Sequence, residues 1–136
     1  MMQPLLQKRL AGVINWMYVW LPRFTGCHQR PDRSFTCRSG RPFPVCARCS
    51  GELIGMAAAV CTAWAGYPPV WVLVILLVPM VTDGTVQLLT SYESTNGRRL
   101  VTGVLFGYGF AALLVRSACA AYWLGVQFGR QHIFIG

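Results

Sequence analysis

The chain has 136 residues, of which 54% are hydrophobic and only 12% charged, with a formal net charge of +8. Ordinary soluble domains carry about 25% charged residues, so a soluble fold would lack the charge to cover its surface. The length fits one domain, and the composition is that of an integral membrane protein.

Residues 1–26 open with Lys8-Arg9 and continue as an apolar run from Leu10 to Leu21 in which Trp16, Tyr18 and Trp20 crowd together. As a helix that run is about 18 Å long, short of a bilayer core of about 30 Å, and its aromatic residues suit the headgroup level. The expectation is an interfacial or partly inserted helix that ends at Pro22. A signal peptide is the competing reading, but no small-x-small cleavage site follows.

Residues 27–50 form a loop rich in cysteine, histidine and arginine. It holds Cys27, His28, Cys37, Cys46 and Cys49, and Pro31, Gly40, Pro42 and Pro44 exclude a long helix. Phe35-Thr36-Cys37 and Phe43-Pro44-Val45 flank Ser39-Gly40, the pattern of a short irregular hairpin. Six arginines fall between Arg23 and Arg48, opposed only by Asp32. Beside membrane segments such a cluster keeps its loop in the cytoplasm and attracts anionic lipid headgroups. Nucleic acid is not expected as a partner, because no nucleic-acid fold signature accompanies the charge.

Residues 51–82 read as a helical hairpin in the membrane. The first half, Gly51 to Ala65, is made of small residues that let helix backbones approach closely; the second, Val70 to Val81, is bulky. Gly66-Tyr67-Pro68-Pro69 breaks them. A single kinked helix is disfavoured by the two adjacent prolines. Residues 83–100 read as a second polar loop, and residues 101–128 as a transmembrane helix with Gly103 and Gly107 in a GxxxG spacing. Arg116 within it is expected to snorkel to the far interface. The fold class is therefore all-α and integral to the cell membrane, multi-pass, with three short spans, or four if residues 10–22 also cross. The Cys/His-rich loop forms a polar cap.

If residues 51–82 cross and return, the two polar loops share one face, which the arginines make cytoplasmic. Cys27, His28, Cys46 and Cys49 then lie on the side of Asp83, Gln87, Glu93, Asn96 and Arg99. Cys46-Ala47-Arg48-Cys49 is a CxxC that can hold zinc, with Cys27, His28 and Cys37 as candidates for the remaining ligands. Cys27 and His28 are neighbours whose side chains diverge in most backbones, so one of the two is expected to stand behind the ligands. The plainest role for such an ion is to staple a loop too small for its own core. The redox alternative is a thiol oxidoreductase through Cys46 and Cys49, favoured by a helix start that lowers a thiol pKa. No haem, nucleotide or flavin signature is present. Cys61 and Cys119 lie in apolar helices, where packing is the expected role.

Gln29, Arg33, Asp83, Gln87, Glu93, Asn96 and Arg99 are the candidate ligand-binding residues of a polar pocket suited to a small ligand or a lipid headgroup. Asp83 and Glu93 are the candidate acid–base groups if the protein is a metal-dependent enzyme. The plainer reading for Ser94-Thr95-Asn96 is a helix cap. The small-residue faces also allow a structural subunit that scaffolds a membrane partner or a second copy of itself.

The set Cys27-His28-Gln29, Arg33-Ser34-Phe35, Pro44-Val45-Cys46-Ala47-Arg48-Cys49-x-Gly51, Asp83-Gly84-x-x-Gln87 and Glu93-Ser94-Thr95-Asn96-x-x-Arg99-x-x-Thr102-Gly103 resembles a family of small prokaryotic membrane proteins catalogued as domain of unknown function 2085. The resemblance covers residues 27 to 110. It implies a membrane protein and supplies no reaction.

Overall fold

The computed structural model describes residues 3–38 and 40–133. Helix α1 (Gln3–Thr25) leads into an irregular cap; α2 (Ala47–Thr62), α3 (Val70–Leu89) and α4 (Asn96–Ile133) follow. One isolated bridge, Thr36 to Pro42, is the only β pairing among the described residues. Backbone bonds from Cys37 N–H to the Arg41 carbonyl (2.8 Å) and from Phe43 N–H to Phe35 (2.7 Å) make the small hairpin. Ser39, half of its expected turn, lies outside the described residues.

The bundle is built on glycine. Gly51 and Gly55 of α2 face the Leu100 and Val104 carbonyls of α4, and Gly103 and Gly107 of α4 face the Arg48 and Glu52 carbonyls of α2. Two GxxxG faces therefore meet backbone to backbone, and a Cβ at any of the four positions would collide with main-chain atoms that cannot swing aside. On the far side of α4, a Cβ at Gly109 would sit 2.8 Å from the Leu73 carbonyl of α3. The fully buried apolar side chains are few and mostly small: Val45, Ala47, Ala59, Leu73 and Ala112.

Outside this seam, α3 turns Val70, Trp71, Val74, Ile75, Val78 and Val81 outward. A contiguous apolar face of that kind is disfavoured in water and suits lipid. Helices α3 and α4 are each long and apolar enough to cross a membrane. Helix α2, at 16 residues, is about 24 Å long. Cys61 and Cys119 are exposed, so they do not pack inside the chain as expected.

Two boundaries differ from the sequence reading. The expected polar loop over 83–100 shrinks to 90–95, because α3 continues to Leu89 and α4 already starts at Asn96. Asp83 and Gln87 lie four residues apart on α3 and are hydrogen-bonded at 2.7 Å, a polar helix face and not a loop. The single glycine between them costs a helix only about 1 kcal/mol. The start of α4 carries the expected cap, with Arg98 N–H donating to Thr95 Oγ1 at 3.4 Å.

The second difference is α1, which passes through Pro22 and ends at Thr25. Proline lacks the N–H that would bond the Tyr18 carbonyl. The Gln29 side chain donates to that carbonyl instead, at 3.0 Å, and to the Pro44 carbonyl at 3.3 Å. Gln29 itself has a φ of 47°, strained for a non-glycine residue and held by this double clamp. The Tyr18 hydroxyl adds a bond to the Pro42 carbonyl at 2.8 Å, so α1 is tied to the cap.

Candidate metal centre and arginine-lined cavity

The cap brings three sulfurs together. Cys46 occupies the N-cap of α2 with an extended backbone (φ −66°, ψ 163°), and Cys49 follows one turn later. This spacing sets the two Sγ atoms 3.4 Å apart. Cys27 arrives from the other side. At the end of α1, Gly26 takes a left-handed φ of 62°, and Cys27 N–H bonds back to the Pro22 carbonyl at 2.9 Å, a Schellman-type termination. That turn delivers the Cys27 sulfur to the Cys46 backbone N–H, 3.2 Å away. The ligand atoms of Cys27, Cys46 and Cys49 all lie within 4.8 Å of one another, so the cluster could hold a metal ion. A tetrahedral thiolate site with bonds of about 2.3 Å sets its sulfurs about 3.8 Å apart, close to this arrangement.

His28 is not part of the three-sulfur cluster. It follows Cys27 directly, and its exposed ring faces the adjoining cavity. Cys37 is farther off, exposed in a separate cleft with Met17, Tyr18 and Arg41.

The thiols divide one proton unequally. The hydrogen bond from Cys49 is the largest influence on Cys46 and lowers its pKa to about 5, helped by the Cys49 backbone N–H and the Cys27 thiol and opposed by burial. Cys49 keeps the proton it donates; that bond, burial and the charge on Cys46 all push its pKa up. One thiolate at a helix N-cap is the starting state a soft metal ion needs.

Beside the sulfurs lies a hydrogen-bonded chain drawn from three helices. Arg48 of α2 contacts Asp83 Oδ2 of α3 at 2.6 Å. Gln87 Nε2 donates to the same oxygen at 2.7 Å, and Arg99 of α4 donates to Gln87 Oε1 at 3.2 Å. The two hydrophilic segments flanking the hairpin therefore meet at one end of the bundle. Asp83 is only 7% exposed, and its Oδ1 has no hydrogen-bond partner among the described residues. Glu93 is exposed and reaches Arg33 at 3.5 Å.

A cavity of about 340 Å³ opens against both groups. Its lining includes the three cysteines together with Arg30, Arg33, Arg48 and Arg99. Of the candidate ligand-binding residues, Gln29, Arg33, Gln87 and Arg99 border this cavity; Asp83, Glu93 and Asn96 do not. Asp83 stands behind it, holding Arg48 and Gln87, and Asn96 opens α4. Sequence reasoning passed over Arg30 and Arg48 as lining residues, although their density near the cysteines was a visible signal.

Residues 27–113, most of the chain, match the family model described as predicted membrane protein, DUF2085. The chain belongs to this family. The chain is also similar to proteins from archaea. An uncharacterised protein of Methanocaldococcus jannaschii is 40% identical over 89 residues, covering 60% of this chain and 56% of its own. An uncharacterised protein of Methanothermobacter thermautotrophicus is 39% identical over 92 residues, 64% of this chain and 82% of its own. The chain thus spans little more than half of the first relative and most of the second. No solved structure matches. The family match begins at Cys27 and includes both GxxxG faces and every residue of the cavity except Gly26. The match therefore spans the cap, α2, α3 and the first half of α4, and leaves out α1 and residues 114–133.

Proposed function

We propose that this family member is a multi-pass protein of the cell membrane that holds one zinc-type ion through Cys27, Cys46 and Cys49, beside a polar pocket for a small ligand or headgroup. The convergence of three sulfurs from two separate chain segments carries this reading. Structural zinc sites are closed by four protein ligands, whereas three ligands and a free position characterise sites that bind or activate something else. Here three thiols border the cavity, with His28 near enough in sequence to be tested as a fourth. Asp83 serves this site as a positioning residue, through Arg48 and Gln87.

In the membrane, α2 and α3 go out and back and α4 crosses again; α1 lies in the interface, its Trp16, Val19 and Trp20 exposed to lipid. The arginine-rich end faces the cytoplasm. Impermeant thiol labelling in sealed vesicles tests this, using Arg41→Cys and Tyr92→Cys one at a time in a background lacking Cys37, Cys61 and Cys119, with that background itself as the baseline for labelling of Cys27, Cys46 and Cys49. Both labels should react from the same side, and opposite sides would refute the hairpin.

Elemental analysis tests the metal. The wild type should carry about one ion per chain, and Cys46→Ser and Cys27→Ser should each lose most of it. A second reading, thiol redox chemistry, draws on the 3.4 Å separation of the Cys46 and Cys49 sulfurs. Wild type without stoichiometric metal, and with those two residues oxidised to a disulfide, would favour it.

A further inference from the structure

Arg99 is 5% exposed, among the most buried polar residues of the protein. Among the described residues its one side-chain hydrogen bond goes to a neutral amide, Gln87 Oε1, at 3.2 Å. Among the described residues no acidic side chain forms an ion pair with it. Buried charges in proteins are paired or bound to ions, because an uncompensated one is strongly disfavoured. This unpaired cation borders the 340 Å³ cavity, whose lining contains four arginines and no acidic residue.

The other arginines point to the same need. Asp83 answers Arg48, and Glu93 and Asp32 answer Arg33, all from outside the lining. Even so, Arg48 Nε is buried without a hydrogen-bond partner among the described residues, and Arg33 Nε has only the Asp32 carboxylate at 3.6 Å. Arg30 on the rim makes no ion pair among the described residues. The cavity thus offers two arginines without an acidic partner among the described residues, Arg30 and Arg99, and the Gln87 amide; the Cys46 thiolate is the anionic group in its lining. A cavity of this volume falls in the range of small-ligand sites.

We propose that this cavity binds a tetrahedral oxyanion of the phosphate class, with Arg99 as its principal counter-charge and Arg30 closing from the rim. Guanidinium groups match phosphate oxygens with parallel N–H donors, which suits a cavity lined by four arginines. The position at the cap end of the bundle admits two sources of that chemistry, a free phosphate or phosphomonoester and the headgroup of an anionic lipid. The proposal rests on the pocket named above and not on its metal.

The test uses full-length protein in a phosphorus-free, uncharged detergent, titrated with inorganic phosphate by calorimetry. Saturable binding at one site per chain is expected, weakened at least tenfold in Arg99→Gln and several-fold in Arg30→Gln, and unchanged in Arg116→Gln. Arg30 is exposed in a loop, so its variant reports on binding even if Arg99→Gln does not fold. Repeating the titration in nanodiscs of phosphatidylcholine with and without phosphatidic acid separates the sources: competition by phosphatidic acid identifies a headgroup, and its lack a soluble oxyanion. Absence of saturable phosphate binding, or equal weakening by Arg30→Gln and Arg116→Gln, would overturn the proposal. Phosphate binding that survives in metal-free Cys46→Ser separates it from the metal reading; stoichiometric metal without phosphate binding sinks this inference alone.

Discussion

The two ends of the helical bundle solve the problem of arginine differently. At the tight turn between α2 and α3, exposed Arg116 of α4 donates to the carbonyls of Tyr67 and Pro68 at 3.3 and 3.1 Å. Those carbonyls are left open by a turn that contains Gly66 at φ 82° and two prolines. Nearby, the Tyr67 hydroxyl donates to the Ala59 carbonyl at 3.1 Å. That end is self-contained: the arginine of α4 serves the backbone of the turn. At the cap end, Arg48 and Arg99 are drawn into contact with α3 by side chains, and one of them stays without a counter-charge. The same residue type closes a structure at one end and leaves a site open at the other. Between the two ends runs the glycine seam, which fixes how closely α2 and α4 approach.

The comparison can be broken first at the seam. Gly107→Leu would drive a side chain into the backbone of Glu52, and overpacking a rigid contact costs about 3 kcal/mol or more. We expect loss of the folded monodisperse protein by size-exclusion chromatography, while Gly125→Leu, with nothing near its missing Cβ, should fold normally. A stable Gly107→Leu protein would show that α2 and α4 do not meet this way.

Next in size is Asp83→Asn. Removing one partner of a buried ion pair costs about 3–5 kcal/mol, and the Arg48 side chain is 25% exposed, so a loss of about 2–3 kcal/mol is expected. Thermal unfolding in detergent measures it. The double variant Asp83→Asn/Arg48→Met should recover part of the loss, and no recovery would remove the ion pair from the account. Arg116→Gln at the opposite end should cost less than about 1 kcal/mol, because its contacts are exposed hydrogen bonds. A loss as large as that of Asp83→Asn would erase the distinction between the ends.

The smallest effect is one of reactivity. In metal-free protein, Cys46 should be alkylated by iodoacetamide with a rate that is half-maximal near pH 5, where an ordinary thiol requires a pH near 9. Above pH 5 the thiolate is present; as pH falls through that value it is reprotonated and the rate drops. Cys49→Ala should move the midpoint upward, since the Cys49 hydrogen bond is the main cause of the lowered value.

Much of the bundle was legible beforehand. Glycine and two prolines at 66–69 announce a turn on local grounds, and small residues at 51, 55, 103 and 107 announce close helix approach. The end of α3 was not legible, because Asp83, Gly84 and Gln87 have the polarity of a loop; only the burial of Asp83 against Arg48 makes them a helix face. The run of α1 through Pro22 was hidden too, since the compensating donor, Gln29, comes from outside the helix.

At the site, the CxxC spacing alone put Cys46 and Cys49 on one side of a helix start, a local consequence of backbone geometry. Choosing Cys27 over its neighbour His28 required the left-handed turn at Gly26 and the meeting with the Cys46 N–H, two events of folding. Composition determined that this chain has too few charges to cover a soluble surface, because that is a sum over residues, and residue order alone set six of its arginines between positions 23 and 48. Tertiary structure alone decided which arginine is buried without a counter-charge, since burial and pairing depend on neighbours brought from α3 and α4.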